Sequence, residues 1–220
     1  MNRILHYEGR DIPVTGSGTP EVLFLELTEK EQGTKTADHL QGNYLYIGFP
    51  VHDWNNELSP WEADPVFGKQ RFGGKGRDLL KLVEGFLKEF REDYPSIPLI
   101  IGGYSLAGLF ALWAVYESKS FDAVASASSS LWFEGWTDYA SAHNANIKAA
   151  ALGLGDLEER TKNPLMKRVR ECTEKQSELL RKQGLPVSFE LYPGNHFQDP
   201  DKRMAKIFLQ ADALLSKEGV

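Results

Sequence analysis

Ser105 lies in a local sequence that would expose a nucleophilic hydroxyl group. An apolar run at 98–101 leads through two glycines and a tyrosine to this serine, and an amphipathic segment at 106–116 follows at once. The pattern predicts a strand, a sharp turn and a helix, which is the arrangement of a nucleophile elbow. Strand and helix nearly collide there, so small residues are needed two positions either side of the serine, and Gly103 and Ala107 supply them. The sequence therefore predicts nucleophilic chemistry at Ser105.

His196 is the candidate base for this serine. Chains with a nucleophile elbow of this type carry the serine first, then an acid, then a histidine. His196 follows a strand-like run at 187–191 and lies in a turn of proline, glycine and asparagine. His143 lies before the acidic segment and would break the order. The other histidines precede the serine: His6, His39 and His52.

An acid is also needed, to orient the imidazole and to stabilise it when it becomes charged. Asp156, Glu158 and Glu159 all follow an apolar run at 147–152, and the sequence does not separate them cleanly. Gly155 with Glu158 three residues later fits an acid that turns back from a tight corner. This spacing favours Glu158, with Asp156 as the alternative. The acids not used would be solvated near the start of the next helix, where negative charge is favourable.

The composition fits one soluble domain over residues 1–220. Hydrophobic residues make up 41% of the chain and charged residues 25%, and the formal net charge is −6. The charges are interspersed with no basic stripe, which disfavours nucleic acid and anionic membranes as partners. No apolar run reaches the length of a membrane span, and the first ten residues lack the core of a signal peptide, so we expect a cytoplasmic protein. Cys172 is the single cysteine, and no cysteine–histidine spacing suggests zinc, so we expect no disulfide, metal or cofactor.

Strand-like and helix-like segments alternate along the chain. This alternation predicts a largely parallel sheet that is covered by helices on both faces. The helix at 164–184 would have Asn163 as its N-cap and Pro164 at its first position. The predicted strands are 22–27, 43–49, 98–101, 121–126, 147–152 and 187–191, and the predicted helices are 77–93, 106–116, 164–184 and 201–216.

Two aromatic-rich segments, 51–61 and 128–136, leave the ends of predicted strands. Ligands of open α/β sheets bind at that edge. Asp53, Trp54 and Trp132 in these segments, together with Tyr104 beside the serine, are therefore candidate substrate contacts. The aromatic rings could equally be core residues that hold long loops in place.

Several short motifs, together with the elbow, resemble those of the α/β-hydrolase esterase family that includes esterase D, feruloyl esterases and siderophore esterases. The likeness extends from about Pro20 to the end of the chain. Within the family, the motifs resemble those of a compact bacterial branch with no large lid. The motifs are Asp53-Trp54-Asn55, Leu58-Ser59-Pro60-Trp61, Phe72-Gly73-Gly74, Ser130-Leu131-Trp132 and Asn195-His196-Phe197.

The resemblance implies a triad of Ser105, His196 and an acid within 156–159. It also implies an oxyanion hole formed by the Leu106 backbone N–H and a second donor near Thr28. Many relatives carry His-Gly or Ser-Gly at the position of this second donor, whereas this chain reads Glu-Leu-Thr-Glu at 26–29.

By this likeness the chain is expected to be a serine-dependent hydrolase of a small-molecule carboxylic ester, without a cofactor. Two alternatives stay open. A thioesterase or acyltransferase would use the same triad, and a binding protein could have the hydrolase fold without activity. Only a panel of acyl donors and acceptors would separate an esterase from the first alternative.

Overall fold

A computed structural model describes residues 1–29, 35–66 and 68–217. The strands in these ranges are β1 (Asn2–Tyr7), β2 (Arg10–Gly16), β3 (Val22–Glu29), β4 (Tyr44–Val51), β5 (Glu62–Ala63), β6 (Phe72–Gly73), β7 (Leu99–Tyr104), β8 (Ala123–Ala127), β9 (Ala149–Gly155) and β10 (Val187–Tyr192). The α-helices are α1 (Trp54–Leu58), α2 (Gly76–Phe90), α3 (Leu106–Glu117), α4 (Trp136–Ala142), α5 (Val169–Lys182) and α6 (Pro200–Lys217).

Eight strands form one twisted sheet in the order β1-β2-β4-β3-β7-β8-β9-β10. All neighbouring pairs from β4 to β10 are parallel. The first two strands form an antiparallel hairpin that joins the edge of β4, also antiparallel. The predicted parallel sheet is thus confirmed, while the hairpin at its edge was not predicted.

Helices cover both faces of the sheet, as predicted. One core contains the apolar residues of α2 and α3, such as Phe86 and Phe110, together with those of α4 and α5. The other lies under α6, where the Phe208 ring packs 4.8 Å from the ring of Phe24 on β3. None of the helices in the described ranges combines the length and the apolar character that crossing a bilayer would require.

The helix predicted for 164–184 begins later than expected. Asn163 does act as a cap, because its side-chain oxygen accepts hydrogen bonds from the N–H groups of Leu165 and Met166 at 3.0 and 3.3 Å. The capped segment is a 3₁₀ turn, Met166–Arg168, and α5 starts only at Val169. Capping residues favour both kinds of helix, so the sequence signal was correct for the cap and wrong for the helix start.

Parallel strands β7, β8, β9 and β10 end at the same edge of the sheet. The segments that follow them carry Ser105, Ser128, Glu158 and His196 respectively. Because the carboxyl ends of parallel strands meet at one edge, residues far apart in the chain are brought together there. The described residues form no separate lid domain over this edge.

Candidate active site

Ser105 occupies the sharp turn between β7 and α3. Its backbone has φ 59° and ψ −119°, a strained conformation for a residue with a side chain. The turn is tight, because a Cβ on Gly103 would lie 2.5 Å from the carbonyl carbon of Ala107. Hydrogen bonds from Ser105 N–H to Ala127 O (3.0 Å) and from Ser130 N–H to Ser105 O (3.1 Å) fasten this turn to β8 and the segment after it. The strained turn projects the hydroxyl into the cleft.

Ser105, His196 and Glu158 form a continuous hydrogen-bonded chain. His196 Nε2 lies 3.1 Å from Ser105 Oγ, and His196 Nδ1 lies 2.8 Å from Glu158 Oε2. An ionised carboxylate only accepts hydrogen bonds, so Nδ1 carries a proton and Nε2 of the neutral ring is left to accept the serine proton. The structure therefore brings together three of the residues that the sequence singled out.

Glu158 is almost fully buried, with 3% of its side chain exposed, yet its environment favours the charged form. Oε1 accepts hydrogen bonds from Gly155 N–H at 2.7 Å and from Ser128 Oγ at 2.6 Å. Burial alone would raise the pKa of Glu158, but the hydrogen bonds from His196, Ser128 and Gly155, with the charge of the imidazole, hold its pKa below the ordinary value. Glu158 can thus act as a fixed anion beside the imidazole.

The two other candidate acids lie away from the imidazole. Asp156 Oδ1 accepts a hydrogen bond of 2.8 Å from the N–H of Gly194, so its carboxylate fastens the histidine loop. Glu159 faces the surface, 3.6 Å from Arg170. Of the three acids, Glu158 is the one that the structure places on His196.

The two expected oxyanion donors, Leu106 and Thr28, line different cavities that both reach Ser105. Leu106 supplies the first N–H of α3, and the first N–H groups of a helix have no partner within that helix. Leu106 lines a first cavity, which reaches Ser105. Thr28 lies near the end of β3 and lines a second cavity that also reaches Ser105.

The first cavity, of about 340 Å³, is mainly apolar and opens onto Ser105 and His196. Two of the predicted substrate contacts, Trp54 and Trp132, lie in its wall. Its other apolar lining residues are Phe72, Leu106, Met166, Val169 and Phe197. The sequence had singled out Phe72 and Phe197 within motifs and Leu106 as an oxyanion donor, whereas Met166 and Val169 were missed.

Phe197 stands at the mouth of this cavity. It is 85% exposed, and its ring meets the His196 ring edge to face at 5.2 Å. It lines both cavities. A large apolar side chain exposed beside a reactive group is available for contact with a bound molecule.

The second cavity, of about 470 Å³, is more polar. It is bordered by Glu26, Thr28 and Asp201, and by Tyr104, whose OH donates to the backbone oxygen of His196 at 2.7 Å. Burial raises the pKa of Tyr104 to about 12, so this phenol stays protonated. The predicted contact residue Tyr104 is therefore placed in the cleft, with its hydroxyl already used to hold the histidine loop.

Asp53 is not brought to the cleft. It is the N-cap of α1, where its carboxylate accepts hydrogen bonds from the backbone and side-chain amides of Asn56 at 3.4 and 2.5 Å. Asp53 is not among the residues that line either cavity, and its role as a substrate contact stays a prediction. The capping role has a sequence signal of its own, since aspartate before a short helical segment is a common cap.

Arg203 is a buried charged residue beside the triad that sequence reasoning missed. Its guanidinium donates to Glu158 Oε1 at 2.8 Å and to Ser128 Oγ at 2.6 Å. A signal existed, because Arg203 shares one face of α6 with the buried residues Ile207 and Ala211. A charged residue within such an apolar stripe is rarely buried without a partner.

Across the described ranges, the His, Cys, Asp and Glu side chains form no group of three or more that could hold a metal ion.

No protein-family model and no curated protein matches the sequence. Solved structures do resemble it. The siderophore hydrolase EstA from Aspergillus nidulans matches with a TM-score of 0.67 and 18% identity, over 96% of this chain and 94% of that chain. An α-β serine hydrolase homologue from Coxiella burnetii matches with a TM-score of 0.58 and 14% identity, over 99% and 96%.

The enterobactin esterase FES from Shigella flexneri, in a structure with enterobactin, matches with a TM-score of 0.70 and 16% identity. The match covers 98% of this chain but 59% of that chain, so this chain spans about three-fifths of the Shigella protein. These identities are low, and the likeness concerns the fold. The chain has the α/β-hydrolase fold, as the sequence predicted.

Proposed function

We propose that this protein hydrolyses carboxylic esters of small molecules through an acyl-enzyme on Ser105. The observation that carries the proposal is the hydrogen-bonded chain from Ser105 Oγ through His196 to Glu158, open to a largely apolar cavity. Nucleophile, base and orienting acid are the three parts that acyl transfer by a serine requires. Their order along the chain is that of the fold.

In the first step, His196 Nε2 accepts the Ser105 proton while Oγ attacks the ester carbonyl carbon. The carbonyl electrons move onto oxygen, and the Leu106 N–H with a second donor near Thr28 stabilises the resulting oxyanion. Each such donor contributes about 3 kcal/mol to the transition state. The imidazolium then protonates the leaving alcohol oxygen as the C–O bond breaks, and the acyl group stays on Ser105.

In the second step, water replaces the alcohol. The water oxygen attacks the acyl carbon while His196 Nε2 takes a proton from this water. When the second tetrahedral intermediate collapses, the imidazolium returns a proton to Ser105 Oγ and the carboxylic acid leaves. Glu158 holds the Nδ1–H tautomer and offsets the imidazolium charge in both steps.

An apolar or aryl group of the ester would bind between Trp54 and Trp132. A cavity of about 340 Å³ holds a group of the size of a substituted ring, and aromatic walls favour such a group. The named similar structures include a siderophore hydrolase and an enterobactin esterase, which supports ester hydrolysis in general. Thioesters and acyl acceptors other than water would engage the same three residues.

The test is a panel of aryl, alkyl and sugar acetate esters, with matched thioesters and alcohol acceptors, assayed with wild-type protein and S105A. We expect ester hydrolysis by wild type and less than a few per cent of it in S105A, which lacks the half-buried hydroxyl that contacts His196. Circular dichroism and thermal unfolding check that S105A is folded. Faster turnover of thioesters, or transfer to alcohols in place of water, would replace the ester hydrolase assignment by the alternative with the same triad. Equal activity of S105A would overturn the proposal.

A further inference from the structure

Arg203 links the four segments that form the candidate site. It projects from the first turn of α6, and its guanidinium reaches the residue before the nucleophile, the segment after β8, the acid loop after β9 and the histidine loop. The contacts are Nη1 to Tyr104 OH (2.8 Å), Ser128 Oγ (2.6 Å) and Glu158 Oε1 (2.8 Å), and Nη2 to Asn195 O (3.3 Å) and Gln198 O (3.2 Å).

This guanidinium lies beneath the site and away from the substrate. Only 2% of the Arg203 side chain is exposed, against 3% for its partner Glu158. Arg203 lines neither of the two cavities that open onto Ser105. Any effect it has on the reaction must therefore pass through the residues that it holds.

The contacts explain how the histidine loop is held in place. Arg203 binds the backbone oxygens on both sides of His196, those of Asn195 and Gln198, while Tyr104 donates to the oxygen of His196 itself. The same guanidinium donates to Tyr104. The two terminal nitrogens of a planar guanidinium carry four N–H groups in a fixed fork, and here they reach all five acceptors, whereas an ammonium group offers three donors on one atom.

Its charge matters as much as its shape. A cation in hydrogen-bond contact keeps a buried carboxyl ionised. It also offsets the negative charge of the Glu158 carboxylate, which faces His196. Among the described residues, the guanidinium contacts the titratable groups of Glu158 and Tyr104. Its Cζ also lies 6.0 Å from the centroid of the Tyr192 ring.

We infer that Arg203 is a positioning residue for the triad, which fixes the geometry of Glu158 and the histidine loop and offsets the charge of the Glu158 carboxylate. The inference rests on the proposed function, because it concerns the same three residues. It assigns to one side chain of α6 a role in turnover without contact with the ester.

The experiment compares wild type with R203M, R203Q and R203K, and uses R10M as the matched control. Arg10 is also buried, with 7% of its side chain exposed, and also pairs with a glutamate, Glu57, at 3.0 Å. Arg10 lines neither cavity. Each variant is measured for kcat, KM, the pH profile of kcat/KM, the rate of fluorophosphonate labelling and the midpoint of urea unfolding.

For R203M and R203Q we expect kcat to fall at least about tenfold, with KM within about twofold of wild type. The acidic limb of the pH profile should move to higher pH, because the Glu158 carboxylate loses the cation that contacts it at 2.8 Å. R203K keeps the charge but not the fork, so its acidic limb should stay in place while kcat falls. R10M should lose stability without moving the limb.

Wild-type kcat and an unmoved acidic limb in R203M would overturn the inference, as would a loss of kcat in R10M equal to that in R203M. If R203M does not fold, R203Q gives the same readouts, because it is equally uncharged but keeps a polar group in the buried site. Fluorophosphonate labelling under conditions in which each variant is folded separates a slower reaction at Ser105 from a loss of folded protein. If wild type itself neither labels nor turns over esters, the proposed function has failed and not this inference alone.

Discussion

At the scale of single residues, the choice of acid depends on one backbone corner. Glu158 turns back onto the N–H of Gly155 at 2.7 Å, and this contact aims its other oxygen at His196. Asp156, two residues earlier, points instead to the N–H of Gly194. Both acids are thus fixed by hydrogen bonds, but only Glu158 contacts the imidazole that takes the serine proton.

The variant E158Q tests this distinction. The amide cannot serve as the anion that fixes the Nδ1–H tautomer and offsets the imidazolium charge, an effect worth up to about 10⁴-fold in kcat in a serine protease. We expect a loss of this order in steady-state ester hydrolysis. D156N is the matched control, because an amide oxygen can still accept from Gly194 N–H, and it should cost about tenfold at most. A larger loss in D156N than in E158Q would show that the acid is Asp156.

The sequence predicted the residues whose chemistry shows in local patterns. The elbow around Ser105 and the order of serine, acid and histidine are such patterns, and the structure places Ser105, Glu158 and His196 in contact. Arg203 lies in no local motif. Its partners Glu158 and Tyr104 lie 45 and 99 positions away in the chain. Long-range partners of this kind depend on the topology of the sheet and not on spacing in the chain.

At the scale of elements, the termini of segments were harder to predict than their existence. The hairpin of β1 and β2 turns at Glu8 and Gly9, both with positive φ. A tight hairpin turn of that geometry usually carries asparagine or aspartate before the glycine, so Glu-Gly is a weak signal. The predicted start of α5 was wrong, because the cap at Asn163 precedes a 3₁₀ turn and not the α-helix itself. Met166 in this turn lines the apolar cavity.

The meeting of the loops after β9 and β10 leads to a prediction about Gly155. A Cβ at this position would lie 2.4 Å from Gly194 O and 2.9 Å from Glu158 Oε1. G155A should therefore push the acid loop and the histidine loop apart, destabilising the fold by about 1–3 kcal/mol and lowering ester hydrolysis. Urea unfolding and steady-state kinetics measure the two effects.

G18A is the matched control for this variant. No heavy atom lies within 4 Å of a Cβ built at the exposed Gly18, so its free energy of unfolding should change by about 0.5 kcal/mol or less. Equal stability and activity of G155A and G18A would show that the corner tolerates a side chain and that the loops are not closely packed.

At the scale of the whole molecule, one buried carboxyl couples folding to pH. Glu26 is 5% exposed in the middle of β3 and accepts a hydrogen bond of 2.7 Å from Tyr46 OH. Burial raises the pKa of Glu26 to about 7, against the hydrogen bonds from Tyr46 and Thr36 that lower it, and nearby Asp201 raises it further. The folded protein therefore holds a proton that the unfolded chain has already released between pH 4.5 and about 7.

This raised pKa predicts that Glu26 lowers the free energy of unfolding as pH increases through that window, with the full loss present above it. E26Q is neutral at every pH and keeps an oxygen that can accept from Tyr46. We expect E26Q to be more stable than wild type at about pH 8 and to lose the part of the pH dependence that Glu26 causes. Urea unfolding at a series of pH values measures both. E62Q, at the exposed Glu62 of β5, controls for the loss of one carboxylate. Parallel curves for E26Q and wild type would contradict this account.

The most direct test of the central claim is covalent labelling with a fluorophosphonate, read by intact mass and peptide mapping. Phosphonylation requires a serine activated by its base, and it needs no knowledge of the ester substrate. We predict one adduct per chain, located on Ser105, formed rapidly by wild type, at least about 10²-fold more slowly by H196A, and absent from S105A. No adduct on wild type, an adduct on another residue, or labelling of H196A at the wild-type rate would contradict the assignment of Ser105 and His196 as nucleophile and base.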